Sequence, residues 1–294
     1  MEAPAVLYHY TSLDTLALIL HNRTIRFSRL DKVDDPQEQR SADSQNLGKM
    51  KLVSCWTSSD EESIPMWREY AGAECGVRIQ MKSYPFKQYS VSTESLSKLS
   101  SDAVLNTPGG KFDGLQLPLE AFWDKKYHFK EMARSVEMLH EVQYTNDKSL
   151  LFPKLIRNRE NGWIEADLNT LGIHKATAWS YQNEWRYVLT AVPVGIASVI
   201  KGDVEAVKRA TEVILDKCDP EIPSFYDLII SDEAFSSMKI VASPKMTPGN
   251  RVILDALVQK YAPGIEVAKS TIELGSVRPG LTYMCPHGAI SLTP

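Results

Sequence analysis

The sequence predicts an α+β fold of mixed, mainly antiparallel sheets with flanking helices. Short apolar segments of period two recur near both ends of the chain, and amphipathic helical segments lie among them. The two kinds do not alternate as regular βαβ units, which disfavours a doubly wound sheet. At 294 residues, 43% hydrophobic and 24% charged, the chain can build one large core without a disulfide or a metal. Disorder, collagen and coiled coil are excluded by that composition.

The elements follow in order. Residues 5–10 read as a strand, and 12–21 place Leu13, Leu16, Ala17 and Leu20 at helical spacing behind a Ser12 cap. Residues 24–28 read as a second strand. Residues 31–38 read as a loop, because Asp35 precedes Pro36. A strand over 51–57, a short helix over 64–72 with Pro65 near its start, and a strand over 75–81 come next. Helical periodicity is read from about 94 to 175, clearest in Phe122, Met132, Val136, Leu139 and Val142. This stretch is expected to be a mainly helical insertion or sub-lobe of a single domain spanning 1–294. Strands return at 185–192, 194–200, 226–231 and 238–242, a helix is expected over 249–262, and a last strand over 264–268.

Charge and cysteine usage narrow the class. Thirty-three basic against 37 acidic residues give −4, so no global basic field draws the chain to nucleic acid, although a local groove is left open. Cys55, Cys75, Cys218 and Cys285 are isolated, without CxxC or CxxH pairs. Reduced thiols in a cytoplasm are the expectation. The first twenty residues lack a signal-peptide pattern, and no apolar run approaches a membrane span. No P-loop, no GxGxxG after a strand, no GxSxG and no HExxH is written. His128 and His140 are twelve apart on an expected helix, which is not ligand spacing, and no metal is expected. A Cys285–His287 pair is too common a pattern to mark a site.

Three clusters are chemically dense. Tyr8-His9-Tyr10-Thr11-Ser12 joins the first strand to the first helix, where orphan N–H groups suit a phosphate or ribose. A capping Thr11 or Ser12 and a packed neutral His9 explain the same residues structurally. Arg26-Phe27-Ser28 leads to Asp34, Asp35, Pro36 and Glu38, which suit either a surface turn or a carboxylate group facing a ligand or ion. Trp179 to Tyr187 brackets Glu184 and Arg186 with aromatics. On a strand from 184, Glu184 and Arg186 share one face and Trp185 and Tyr187 the other, which suits a pocket wall or an edge strand with a solvated ion pair. Between these clusters, Trp67 and Tyr70 are adjacent on a helix, as core packing or as a stacking platform.

In this order, HYTS, FS then DDPxE, the Cys55-Trp56-Thr57 strand, MWREYA followed by GV, and NEWRYVL resemble the bacterial domain-of-unknown-function family 2971. The likeness extends to Lys239–Val241, Pro244, Lys245 and Asn250, leaving out roughly 85–175. Val33-Asp34-Asp35-Pro36 stands where that family usually has Phe-Asn-Asp-Pro, and Ala73-Glu74-Cys75 where a His commonly precedes Gly-Val. The opening also resembles, more distantly, ADP-ribosyltransferase folds. That resemblance implies an NAD substrate, with His9 and Thr11 on a ribose, Tyr70 or Trp67 stacking, Arg26 or Arg186 on the pyrophosphate and Glu184 catalytic. Tyr10 and Ser28 complete the expected nucleotide-binding set.

The expectation is therefore an NAD-using ADP-ribosyltransferase or NAD glycohydrolase, of the kind found in defence or toxin effectors, with a nucleotide ligand and a protein or nucleic-acid acceptor. Its rivals are a non-catalytic nucleotide- or nucleic-acid-binding sensor and, third, a metal-dependent nuclease built on Asp34, Asp35 and Glu38.

Overall fold

The computed structural model describes residues 2–72, 74–92, 94, 111–115, 117–118, 125–130, 138–158 and 164–273. β1 (Val6–Ser12) leads into α1 (Leu13–Asn22), where the Ser12 side chain accepts from the Thr15 amide and caps the helix as expected. Leu16, Ile19 and Leu20 bury one face of α1. β2 (Thr24–Arg29), β3 (Lys51–Thr57), α2 (Ile64–Glu69) and β4 (Gly76–Lys82) fall where the period and the caps place them.

The middle of the chain is described only in part, and most of that part differs from the helical expectation. Its described parts are strands: β5 (Tyr89–Ser92), β6 (Lys111–Leu115), β7 (His128–Phe129), β8 (Leu139–Glu141), β9 (Gln143–Thr145), β10 (Ile156–Asn158), β11 (Ile164–Ala166) and β12 (His174–Ala176). A single helical turn, α3 (Lys148–Leu151), interrupts them among the described residues. Phe122, Met132 and Val136 lie outside the described residues. Leu139 and Val142 are both buried, three residues apart, for a reason unrelated to a helix. The chain changes partner at Val142, whose amide bonds the Glu184 carbonyl between two strands that pair with different neighbours.

β13 (Glu184–Val192) is buried along nearly its whole length. After it, α4 (Ile196–Ile200) replaces the strand expected over 194–200. Gly195 packs so close to the Lys125 carbonyl that a Cβ would stand 2.2 Å from it, and the chain turns there. One helical turn then packs a half-buried Ile196 and Ala197 against the core and leaves Val199 and Ile200 outside. α5 (Val204–Ile214), capped by Asp203, has no counterpart in the sequence reading. β14 (Phe225–Ile229), α6 (Asp232–Ser236), β15 (Lys239–Ala242), α7 (Pro248–Tyr261) and β16 (Glu266–Lys269) complete the described chain.

The α+β architecture is mainly antiparallel, with the order β14-β2-β3-β1-β4-β15-β16 and with β13, β7 and β8 joined beyond β3. One irregularity in this sheet positions the site. β13 covers one edge of β3 from Lys51 to Thr57. The other edge of β3 is shared by two strands. β1 meets it at Tyr8–Thr57 alone, and β2 at Ser28–Val53 and Arg29–Leu52. Ser54, Cys55 and Trp56 therefore have no strand partner on that edge among the described residues. β1 stays with β4 over its full length, so β1 and β2 diverge and a crevice opens between them.

Candidate functional site

The crevice has a volume of about 430 Å³. β1 supplies Tyr8, His9 and Tyr10, β2 supplies Arg26 and Ser28, and the unpaired stretch of β3 forms its floor. Tyr70, at the end of α2, and Asp34, in the loop after β2, line it together, joined by a 2.5 Å hydrogen bond. Gln182, Glu184 and Lys175 close the far end. The sheet thus gathers residues from five separate parts of the chain.

His9 is held as a neutral base. Its Nδ1 lies 2.9 Å from the Cys55 carbonyl, which only accepts, so Nδ1 carries the proton and Nε2 is left as an acceptor. Its ring packs on Trp56 at 5.0 Å between centroids. Burial lowers the imidazole's pKa below its usual 6.5, against the opposing pull of the Cys55 carbonyl. Arg26 is forked onto Asp227 at 2.9 and 3.0 Å and lies 3.7 Å over the Phe225 ring, which orients the guanidinium at the crevice rim.

Glu184 belongs to a buried square of charges. Lys175 Nζ reaches Glu38 Oε1 at 2.9 Å and Glu184 Oε2 at 3.2 Å. Arg186 donates through Nε to Glu184 Oε1 at 2.9 Å, through a second nitrogen to the same oxygen, and through Nη1 to Glu38 and to the Gly172 carbonyl. No side chain of the four is more than 4% exposed. Burial alone disfavours every charge here. The two cations overcome it and hold Glu184 below the usual carboxylate range, and the carboxylates hold Lys175 and Arg186 above theirs. This corrects the alternative of an edge strand with a solvated Glu184–Arg186 pair. The Cys55 thiol also faces Glu184; burial, and then that carboxylate, push its pKa well up, so it is an inert thiol.

The remaining sequence candidates divide. Thr11 is buried in register with Val77 of β4, and Trp67 packs edge-on against Tyr10 while its indole N–H donates to Glu62 at 3.0 Å. Neither lines the crevice, whereas Tyr70 does. Arg186 lies beneath Glu184. The three acids proposed for a nuclease turn to different partners. Asp34 accepts from Tyr70, Asp35 from the Gln37 amide, and Glu38 from Arg186. Among the described residues, no group of three or more His, Cys, Asp or Glu is gathered as if for a metal ion. His128 and His140 sit on β7 and β8 rather than one helix, and His128 Nδ1 is 2.7 Å from the Val194 carbonyl. Cys285 and His287 lie outside the described residues.

Sequence reasoning missed Lys175 and Gln182 as members of the site. A lysine in a three-residue strand carries no sign that two carboxylates await it. Gln182 follows an exposed-looking aromatic turn, yet it is 3% exposed.

Residues 66–187 match the model of a family described as protein of unknown function (DUF2971). The match includes MWREYA and NEWRY, and it runs through the 85–175 stretch that the motif comparison left out. HYTS and DDPxE lie before it. A search of curated proteins finds no match. Among the described residues, no helix is long and apolar enough to cross a membrane.

Proposed function

We propose that this chain, which carries the DUF2971 family segment over 66–187, is an NAD-using ADP-ribosyltransferase or NAD glycohydrolase. One observation carries the reading. His9, Tyr10, Arg26, Ser28, Tyr70 and Glu184, singled out from separate motifs, all line one crevice in a split sheet. In this reading, the bond between nicotinamide N1 and ribose C1′ breaks, and nicotinamide leaves with the electron pair. Positive charge builds on the ribose, and a fixed, ionised Glu184 stabilises it more than it stabilises the neutral ground state. Water, a protein or a nucleic-acid nucleophile then bonds to C1′ and loses its proton. His9 Nε2 accepts a ribose hydroxyl, Tyr70 offers a ring face, and Arg26 meets the pyrophosphate at the rim. The free thiols of Cys55, Cys75 and Cys218 suit a reducing cytoplasm, and a defence or toxin role belongs to the same proposal.

A second reading rests on the charge square. Arg186 and Lys175 already take up the Glu184 carboxylate and cancel much of its field in the crevice. That favours a pocket that binds a nucleotide and leaves it intact, as a sensor does. The deciding experiment incubates the protein with NAD, with and without cell lysate, and follows free nicotinamide by mass spectrometry. Release is expected. Saturable binding with intact NAD in every tube would overturn the enzymatic reading in favour of the sensor.

A further inference from the structure

Gln182 presents a buried acceptor that nothing among the described residues satisfies. Its side chain is 3% exposed, it lines the crevice, and its Oε1 has no hydrogen-bond partner among the described residues. The orientation of this amide is set by its neighbours. The Tyr70 hydroxyl donates to Asp34 Oδ2 at 2.5 Å, and the Tyr181 hydroxyl donates to Glu69. Ionised carboxylates only accept, so both phenolic protons are spent on them. Each phenolic oxygen is then left as an acceptor. Gln182 Nε2 donates to Tyr70. Turning the amide over would set its oxygen against a phenolic oxygen that has no proton left to give. The carbonyl oxygen is thus turned from the Tyr70 hydroxyl, whose proton is spent on Asp34.

A buried carbonyl without a donor is retained against its desolvation penalty, and such groups call for a functional account. Gln182 stands beside Tyr70 and Glu184, both of which line the same crevice. An incoming acid at this position would face the amide oxygen and the Glu184 carboxylate together. An N–H group would face two acceptors.

We propose that Gln182 Oε1 is the specificity acceptor of the crevice, selecting a ligand whose planar ring carries a primary carboxamide or an exocyclic amine over the corresponding acid or oxo compound. The inference rests on the nucleotide reading of the crevice and adds to it which end of the ligand lies near Glu184. Tyr70, reached through the Gln182 amide, is a positioning residue: its ring flanks the ligand and its hydroxyl orients the acceptor.

The test measures equilibrium binding of two matched pairs by titration calorimetry: NAD against its nicotinic-acid analogue, and AMP against IMP. The wild-type protein is expected to bind the N–H-bearing member at least tenfold more tightly in one pair or both. Gln182→Met, of similar volume and without an acceptor, is expected to reduce that ratio to within threefold. Should Gln182→Met not fold, Tyr70→Phe replaces it, because losing the phenol frees the amide to turn and the ratio should again fall. No preference in either pair, or a preference that survives both substitutions, overturns the proposal. A preference confined to AMP without NAD binding keeps the role of Gln182 and removes the NAD reading. NAD bound as tightly as its acid analogue, with AMP bound as tightly as IMP, does the reverse, and no binding by any of the four removes both.

Discussion

Arg186 and Lys175 are tied by charge to Glu184 and to Glu38, and this governs how each can be tested. Removing one member of a buried ionic cluster leaves an uncompensated charge, which typically costs about 3–5 kcal/mol. Arg186→Met is therefore expected to lower unfolding stability by about 3–5 kcal/mol, measured by chemical denaturation. Glu184→Gln alone also unbalances the cluster, leaving Lys175 and Arg186 with Glu38. It therefore confounds loss of chemistry with loss of fold. The paired substitution Glu184→Gln with Lys175→Met removes one charge of each sign. It is expected to melt closer to wild type than Glu184→Gln does, and to release no nicotinamide. Wild-type turnover in that pair would remove Glu184 from the mechanism.

His9 supplies a pH dependence of definite sign. Its folded pKa lies below the unfolded value of 6.5, because burial disfavours the charged ring. Between the two values the unfolded chain binds more protons, so stability rises with pH. The contribution is complete above about 6.5 and is lost as pH falls below it. Thermal midpoints recorded from pH 7.5 to 5.5 should fall on acidification, and less so in His9→Gln. Equal slopes in the two proteins would mean that His9 is not the group responsible. At this scale the sequence was partly legible. Alternation from 184 rightly paired Glu184 with Arg186 and Trp185 with Tyr187, and the Ser12 cap was visible. The partners Lys175 and Glu38 were not, because a buried ion pair is made by chain topology and leaves no local pattern.

At the scale of elements, the crevice depends on β1 leaving β3 to follow β4, and on α2 holding Tyr70 over the gap. Gly76 connects these two conditions. It opens β4 in register with Ser12, and a Cβ there would stand 2.0 Å from the Ala71 carbonyl, next to Tyr70. Gly76→Ala must displace that backbone. A loss of about 1–3 kcal/mol is expected, as for other overpacked sites. Ligand affinity should fall as well, because Tyr70 moves with the chain. A variant with wild-type melting and binding would show that the two elements do not depend on this contact. Where an element keeps one neighbour along its whole length, as β3 does with β13 and β4 with β1, the period of the sequence located it. Where partners change, as at Val142, apolar spacing imitated a helix. At Ile196–Ile200, β-branched residues imitated a strand while the close approach at Gly195 imposed a turn.

At the scale of the whole molecule, the proposed function rests on one open seam in a large sheet. Its walls come from β1, β2 and α2, its floor from β3, and its charged end from β13 and β12. No single motif describes this arrangement, which explains why each cluster read alone also admitted a structural explanation. The divergence of β1 and β2 is a property of long-range pairing and was not written in any local segment. Ser28 offers direct access to it, since it lines the crevice from β2 and is half-buried. The most direct measurement is calorimetric titration of NAD into wild-type protein and into Ser28→Trp, whose side chain fills the seam. We expect saturable one-site binding to the wild type and none to a Ser28→Trp protein that melts within a few degrees of it. Binding that survives the blocked seam, or no binding to the wild type, would contradict the assignment of this crevice as the NAD site.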